Sequence, residues 1–233
     1  MLPVAILSGG LATRLRPITD ALPKALVPVA DRPFVLRQLD YLGKQGVHRA
    51  VLCTGYCGEQ IEAVVGDGSI CGLNVEYSRD GDSLLGTGGA IQKALPILGR
   101  EFFVLYGDSF LQLELSLVER AYHECDLPAL LTVYHNKGKW DASNVLFEDG
   151  KVIEYSKEQS RSEMQYIDYG LAVLSANIFN CCPPKGAFDL TTLYHQLSIS
   201  HQLAGYEVLE RFYEIGSLEG LAETDEYFRL VES

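Results

Sequence analysis

The chain has few basic residues and no long apolar segment. Nineteen lysines and arginines stand against 31 aspartates and glutamates, a formal net charge of −12. This balance argues against general binding to nucleic acid or to anionic membranes. No apolar run reaches the ~20 residues that a membrane span needs. The short apolar N-terminus lacks a basic start, so the sequence predicts no signal peptide.

Cysteine and histidine patterns that would indicate a metal centre are also missing. No Cys-x-x-Cys pair occurs, and no histidine lies at a zinc-ligand spacing. We therefore expect reduced thiols and a cytoplasmic protein. The six cysteines are Cys53, Cys57, Cys71, Cys125, Cys181 and Cys182.

What is present is an alternation of short apolar runs with amphipathic segments, over 233 residues. It predicts βαβ units and an α/β fold: a Rossmann-like, mainly parallel sheet flanked by helices. The predicted strands are Val4–Leu7, Ala50–Cys53, Val75–Tyr77, Phe102–Leu105 and Ala129–Val133. The predicted helices are Phe34–Gln45, Gly58–Val65, Gly89–Leu98 and Leu115–Glu124.

The pattern changes after about residue 130. Asp149-Gly150 between two short runs is a strong hairpin signal and indicates a small antiparallel portion. We predict one domain, residues 1–233, with halves at about 1–130 and 131–233. The later elements are predicted as a strand at Ile167–Leu174, a helix at Thr192–Leu203, strands at Tyr206–Leu209 and Phe212–Ile215, and a helix at Leu218–Leu230.

A glycine turn with nearby cations follows the first predicted strand. Gly9 and Gly10 allow backbone N–H groups to approach a ligand closely. Arg14, Arg16 and Lys24 supply positive charge beside that turn, which suits a nucleoside triphosphate. A bare glycine pair would favour an ordinary turn, but the cations reverse that preference. Two common phosphate motifs do not fit, because Leu11 follows Gly10 and Thr13 replaces a third glycine.

Two further motifs follow later strands. Asp108 comes after Phe102–Leu105, where a hard oxygen ligand can hold Mg²⁺ or simply cap a turn. Gly86-Thr87-Gly88-Gly89 is predicted as a tight loop before a helix, close enough to contact a nucleoside. Ligands of open parallel sheets bind beyond the carboxyl ends of the strands, so these motifs should converge in one crevice.

The segment from Ser8 to Leu15, with Pro23-Lys24, resembles the signature of the sugar-1-phosphate nucleotidylyltransferases, with Ala12 in place of a glycine. The resemblance implies an Mg²⁺-dependent enzyme that joins a nucleoside triphosphate to a sugar 1-phosphate. It implies catalytic roles for Arg14 and Lys24 and a metal-binding role for Asp108. The implied nucleotide-binding residues are Leu7, Ser8, Gly9, Gly10, Thr13, Gly86, Thr87 and Gly88.

The resemblance continues more loosely into the second half. Glu214 takes the place of an aspartate that supplies the second metal contact in the family, or it faces solvent on a strand. Asp168 and Gly170 lie in a segment similar to one that contacts sugar hydroxyls, with Asp168 replacing an asparagine. Lys157 is a candidate for the sugar phosphate, or an ordinary solvated lysine. The resemblance thus makes 1–130 the nucleotide half and 131–233 the sugar half.

The compact length and the Gly86–Gly89 motif look most like heptose-1-phosphate guanylyltransferases. The first expectation is GTP with D-glycero-D-manno-heptose 1-phosphate. The alternatives are uridylyl or thymidylyl transfer to N-acetylmuramate or glucose 1-phosphate, and a non-catalytic nucleotide-sugar sensor. A glycosyltransferase is disfavoured, because no second aspartate follows Asp108. The sequence makes no prediction of oligomeric state.

Overall fold

The computed structural model describes residues 1–10, 13–140, 142–158, 161–182 and 186–232. The strands are β1 Val4–Ser8, β2 Pro28–Val29, β3 Arg32–Pro33, β4 Arg49–Thr54, β5 Asn74–Arg79, β6 Glu101–Tyr106, β7 Ser109–Leu111, β8 Ala129–His135, β9 Val145–Glu148, β10 Lys151–Tyr155, β11 Tyr166–Ser175, β12 Leu203–Val208 and β13 Phe212–Glu214. The α-helices are α1 Phe34–Lys44, α2 Gly58–Val65, α3 Gly86–Leu98, α4 Leu115–Cys125, α5 Leu190–Ile199 and α6 Leu218–Val231.

Across the described ranges, nine strands form one sheet in the order β5-β4-β1-β6-β11-β8-β12-β10-β9. The first four run parallel. Strand β11 is inserted antiparallel between β6 and β8, and β12 returns parallel to β8. The predicted hairpin is present as β9 and β10. The predicted fold class is confirmed, and the antiparallel portion continues the same sheet.

Helices cover both faces of this sheet. They are needed on both faces because successive residues of a strand point to opposite sides and these strands are apolar on both. In β1, Val4 and Ile6 point into a core cluster with α1, α2 and α4. The intervening Ala5 belongs to a second cluster with α3 and α5. Burial on both faces explains why these strands are continuous apolar runs in the sequence.

A third, smaller cluster lies beside the sheet and joins distant parts of the chain. It contains Phe34, Phe110, Ile215 and Phe228. The short strands β7 and β13 pair antiparallel within it, with Glu214 opposite Ser109. This pairing carries the late segment of the chain back to the residues that follow β6.

Two predicted boundaries are wrong in ways that matter for the site. The segment predicted as a loop at Gly86–Gly89 is the first turn of α3, which begins at Gly86. The helix predicted to reach Leu203 ends at Ile199, and Leu203 begins β12. His201 takes a left-handed conformation (φ +57°) and Gln202 N donates to Leu197 O, a common way to end a helix. The apolar spacing alone could not reveal that stop.

The site elements meet at one edge of the sheet. The carboxyl ends of β1, β4, β5, β6, β8 and β12 lie there because these strands run in one direction. The amino end of β11 reaches the same edge because β11 runs the opposite way. None of the described helices is long and apolar enough to cross a membrane.

Candidate active site

Two cavities open along this edge and share a wall. The larger has a volume of about 540 Å³ and the smaller about 310 Å³. Tyr106 and Asp108 line both. The smaller cavity is formed mainly by the first half of the chain and the larger mainly by the second. A ligand in one cavity would therefore meet a ligand in the other beside Asp108.

Glycines and other small residues form part of the lining of the smaller cavity. It brings together Leu7, Ser8, Gly9, Gly10, Lys24, Gly86 and Thr87 of the predicted residues. Gly9 approaches the next strand closely, since a Cβ there would lie 3.2 Å from Gly55 N. The hydroxyl of Ser8 is buried and has no hydrogen-bond partner among the described residues. A bound ligand would satisfy that oxygen, because buried polar atoms are normally paired.

An acidic side chain that we did not predict also faces this cavity. Asp80 follows β5, and its Oδ2 accepts a hydrogen bond from Leu85 N at 3.1 Å. Burial raises the pKa of the Asp80 carboxyl, and Lys93 partly offsets that effect. Burial, with a smaller effect of Asp80, raises the pKa of the neighbouring Cys53 thiol to about 12. Cys53 is therefore a neutral thiol in the wall of this cavity. The five cysteines whose side chains are described are all free.

The first turn of α3 is held by the loop before α5. Gly88 N donates to Phe188 O at 2.9 Å, and Thr87 N donates to Asp189 Oδ1 at 3.3 Å. Gly86 has φ +70°, and a Cβ there would lie 2.6 Å from Phe188 O. These N–H groups are occupied, so the two of them are not free to bind an anion. Its glycines allow close packing instead.

The centre of the shared wall is an ion pair. Lys24 Nζ lies 2.9 Å from Asp108 Oδ2, and both side chains are partly buried. Gln38 fixes the chain around Asp108 by donating to Tyr106 O at 3.1 Å and to Ser109 O at 2.8 Å. Gly107 is required there, since a Cβ would lie 2.7 Å from Ser8 Oγ. The carboxylate is thereby fixed at the end of β6.

Glu214 and Arg14 reach the same place from distant parts of the chain. A Cβ at Gly216 would lie 2.6 Å from Glu214 Oε2 and 3.4 Å from both Asp108 Oδ2 and Arg14 Nη2. The three charged side chains thus converge in front of Gly216. The Glu214 carboxylate accepts hydrogen bonds from Gly216 N and from Ser217 Oγ, at the start of α6. Ile215 N donates to Asp108 O at 2.9 Å and fixes the two segments together.

Asp168 lies in the larger cavity, with several donors around its carboxylate. Gly170 N donates to Oδ1 at 3.0 Å, and the Tyr155 hydroxyl lies 3.3 Å from Oδ2. Burial raises the pKa of the Asp168 carboxyl, although Lys157 and these donors act in the opposite direction. Gly170 has φ +104° at an irregularity in the β11–β8 ladder. Such a bulge redirects the adjacent side chain.

Lys157 also lines the larger cavity, with Nζ 5.8 Å from the centre of the Tyr106 ring. The structure thus brings Arg14, Asp108, Lys157, Asp168, Gly170 and Glu214 together around one space. Two predicted residues do not line either cavity. Thr13 is exposed, and Gly88 packs against the Phe188 ring. Leu11 and Ala12 of the motif lie outside the described residues.

Sequence reasoning missed residues in both cavities, namely Asp80, Asp189, Trp140 and Arg211. Three of them follow the carboxyl ends of strands β5, β8 and β12. The rule that selected Asp108 would therefore have found them if it had been applied to every strand. Asp189 precedes α5, and no sequence signal links it to Thr87.

Comparison with known proteins identifies the family of this chain. The model of the nucleotidyl transferase family matches residues 4–137. The D-glycero-α-D-manno-heptose 1-phosphate guanylyltransferase of Campylobacter jejuni is 33% identical over 175 residues, 75% of this chain and 76% of that protein. The enzyme of the same description from Aneurinibacillus thermoaerophilus is 32% identical over 177 residues, 76% of each chain.

A solved structure has the same fold over nearly its whole length. It is HddC from Yersinia pseudotuberculosis, complexed with GMP-PN, with a TM-score of 0.81 and 25% identity over 98% of this chain and 100% of that chain. The chain belongs to the nucleotidyl transferase family, and within it to the sugar-1-phosphate nucleotidylyltransferases.

Proposed function

We propose that this enzyme transfers GMP from GTP to D-glycero-α-D-manno-heptose 1-phosphate and releases pyrophosphate. The observation that carries the proposal is the pair of cavities that meet at Asp108. GTP occupies the smaller cavity and the sugar phosphate the larger. The two ligands then meet where Lys24 and Arg14 supply positive charge. Two relatives are described as D-glycero-α-D-manno-heptose 1-phosphate guanylyltransferases, and this supports the choice of sugar and base.

Asp80 supports guanine as the base. Guanine presents two adjacent donors, N1–H and N2–H, and a carboxylate accepts both. Uracil and thymine present one N–H between two acceptor oxygens, which a carboxylate matches poorly. The Asp80 carboxyl lines the smaller cavity. If a pyrimidine bound there, one carboxylate oxygen of Asp80 would accept from the N–H and the other would face a carbonyl oxygen of the base.

In this mechanism a sugar-phosphate oxygen attacks the α-phosphorus of GTP in line. The monoester is already ionised near neutral pH, so the reaction requires no covalent enzyme intermediate. Catalysis then consists of positioning and charge stabilisation. Arg14 stabilises the pentavalent transition state and the leaving pyrophosphate, and Lys24 bridges the phosphates. Asp168 accepts hydrogen bonds from sugar hydroxyls, and Lys157 binds the sugar phosphate.

The two cavities meet at Asp108, and we call this place the junction. The residues at the junction fit a Mg²⁺ ion. In the described residues no three His, Cys, Asp or Glu side chains form a metal cluster. Mg²⁺ in phosphate-transfer sites is usually held by one or two carboxylates, with substrate phosphates and water completing the set. Asp108 and Glu214, which converge in front of Gly216, match that number. The ion would neutralise phosphate charge. Lys24 holds the carboxylate of Asp108 in place, and Gly216 and Ser217 hold that of Glu214.

A grid of nucleoside triphosphates against sugar 1-phosphates, read by pyrophosphate release, tests the proposal. We expect the highest kcat/KM with GTP and the heptose 1-phosphate. Fastest turnover of UTP or dTTP would contradict the assignment of the base. Binding of the nucleotide-sugar product without any pyrophosphate release would instead identify a sensor.

A further inference from the structure

One wall of the larger cavity has no role in the mechanism above. We call it the outer wall, formed by Lys139, Trp140, Arg211 and Glu223. The Arg211 guanidinium lies between two aromatic rings, 4.8 Å from the centre of Trp140 and 4.4 Å from that of Tyr213. Its Nη2 contacts Glu223 at 2.5 Å, and its Nε donates to Phe212 O at 3.2 Å. These contacts fix the side chain in one orientation.

The outer wall also contains a donor that lacks an acceptor. The indole Nε1 of Trp140 is buried and has no hydrogen-bond partner among the described residues. Buried indole N–H groups usually have one. Trp140 lines the larger cavity through its other atoms, so a rotation of the indole would turn this N–H toward an oxygen atom of a bound ligand. This observation points to a ligand rather than to packing alone.

The outer wall is separated from the reaction centre by about the length of a sugar 1-phosphate. Ser217 stands at the start of α6, beside Glu214, and Glu223 is six residues further along the helix. A rise of 1.5 Å per residue places Glu223 about 9 Å along the axis from that start. A sugar with its phosphate at the junction therefore presents its exocyclic carbons to the outer wall.

The charges of the outer wall indicate the chemistry of the group it binds. The positive charges of Lys139 and Arg211 are balanced by the negative charges of Glu223 and Glu219, which also lines the cavity. Trp140 and Arg211 offer donors, whereas Glu223 offers an acceptor. A hydroxyl group both donates and accepts, so a pair of hydroxyls matches this arrangement. A carboxylate accepts only, and it would meet the two glutamates.

We propose that the outer wall binds the exocyclic diol of the heptose, with Trp140 and Arg211 donating and Glu223 accepting, and so selects a seven-carbon sugar phosphate over a hexose phosphate. The inference rests on the proposed function, since it places the sugar in the larger cavity. It assigns these three residues a part in specificity and none in phosphate chemistry.

Ligand binding without turnover tests this assignment. D-glycero-α-D-manno-heptose 1-phosphate and α-D-mannose 1-phosphate share the ring and the phosphate and differ at the exocyclic end. Calorimetry should give a roughly tenfold or greater preference for the heptose, the usual effect of losing a hydrogen bond to a charged group. Trp140 is the single tryptophan of the chain, so its fluorescence reports directly on the outer wall. The heptose should change its emission more than mannose does.

Two variants and one control sharpen the test. Arg211→Met and Trp140→Phe should each lower heptose affinity to nearly that of mannose, while mannose affinity stays within about twofold. Trp140→Phe keeps an aromatic ring under Arg211 and removes the donor. Arg229→Met is the matched control, because Arg229 lies on α6, like Glu223, but pairs with Asp225 and Asp31 outside the cavity. It should leave the preference intact, and thermal melts check that each variant is folded.

Equal affinities in the unmodified enzyme, or an unchanged preference in both folded variants, would overturn the inference. So would tighter binding of N-acetylmuramate 1-phosphate that depends on Arg211, since the outer wall would then bind an anion. Failure of pyrophosphate release with every substrate pair refutes the proposed function separately. The binding preference is measured without turnover and still decides the assignment of the outer wall.

Discussion

The two cavities are built differently although they share a wall. The smaller one is formed mainly by residues at or just after the carboxyl ends of β1, β4, β5 and β6, all of them in the first half of the chain. The larger one is formed by charged and aromatic side chains from β7, β11, β13, α6 and the loops after β8, β10 and β12. A cavity built at the ends of successive strands can be traced to local motifs. A cavity built from side chains depends on how distant segments pack.

The largest effect should come from the charged residue that lines both cavities. Asp108→Asn should lower kcat/KM by at least ~10³-fold, because it removes a charge from the reaction centre and leaves Lys24 without its partner. Arg14→Ala and Lys24→Ala should each lose at least ~10²-fold. Pyrophosphate release at limiting Mg²⁺ is the measurement. Asp126→Asn, at an exposed position after α4, is the control. If the Asp108→Asn variant kept the activity of the original enzyme, the junction would not be the reaction centre.

The smaller cavity should determine the choice of base through a single side chain. Asp80→Asn should reduce kcat/KM for GTP by about 10- to 100-fold and narrow its advantage over UTP, since an amide offers guanine one acceptor instead of two. The measurement is kcat/KM for each triphosphate at saturating sugar phosphate. Asp82→Asn changes an exposed aspartate two residues away and should have no effect. If the Asp80→Asn variant kept the preference for GTP over UTP, the proposed contact between Asp80 and guanine would be wrong.

Substitution by alanine should affect stability at one glycine of the first half and nucleotide binding at another. A Cβ at Gly88 would overlap the Phe188 ring, whereas a Cβ at Gly10 has no atom within 4 Å. Gly88→Ala should therefore destabilise the fold by about 1–3 kcal/mol, the usual effect of overpacking. Gly10→Ala should keep the melting temperature and raise the KM for GTP, because Gly10 lines the cavity. Thermal melts and steady-state kinetics on both variants separate a packing glycine from a binding glycine.

The smallest effect concerns the charge held in the larger cavity. Burial raises the pKa of Asp168, so the native protein binds this proton more tightly than the unfolded chain does. The ionised carboxylate therefore lowers stability at neutral pH. Asp168→Asn should raise Tm there by a few degrees, where ~1 kcal/mol corresponds to about 2–4 °C. The gain should vanish as the pH falls below ~3.9, the ordinary value for aspartate. Equal Tm gains at pH 7 and at acidic pH would contradict the linkage.

The site could be predicted from the sequence where its residues follow strands. Lys24 and Asp108 were identified from motifs, and the structure pairs them at 2.9 Å. The Gly86–Gly89 motif was located correctly but assigned to a loop, because nothing local shows that Phe188 and Asp189 hold its N–H groups. Arg211 and Trp140 also follow strands, but no local pattern shows that they stack on each other, since they lie 71 residues apart in the sequence.

The sequence by itself determined the fold class, because strands buried on both faces must be continuous apolar runs and the helices between them must be amphipathic. It also determined the glycine turn and the cations, because these functions depend on residue type and local spacing. Tertiary structure alone decided which carboxylates meet. Glu214 reaches Asp108 because β13 pairs with β7, and Asp168 lines the same cavity because β11 runs antiparallel to β6. Strand order and direction are long-range choices, made by packing of the whole sheet, and no local pattern encodes them.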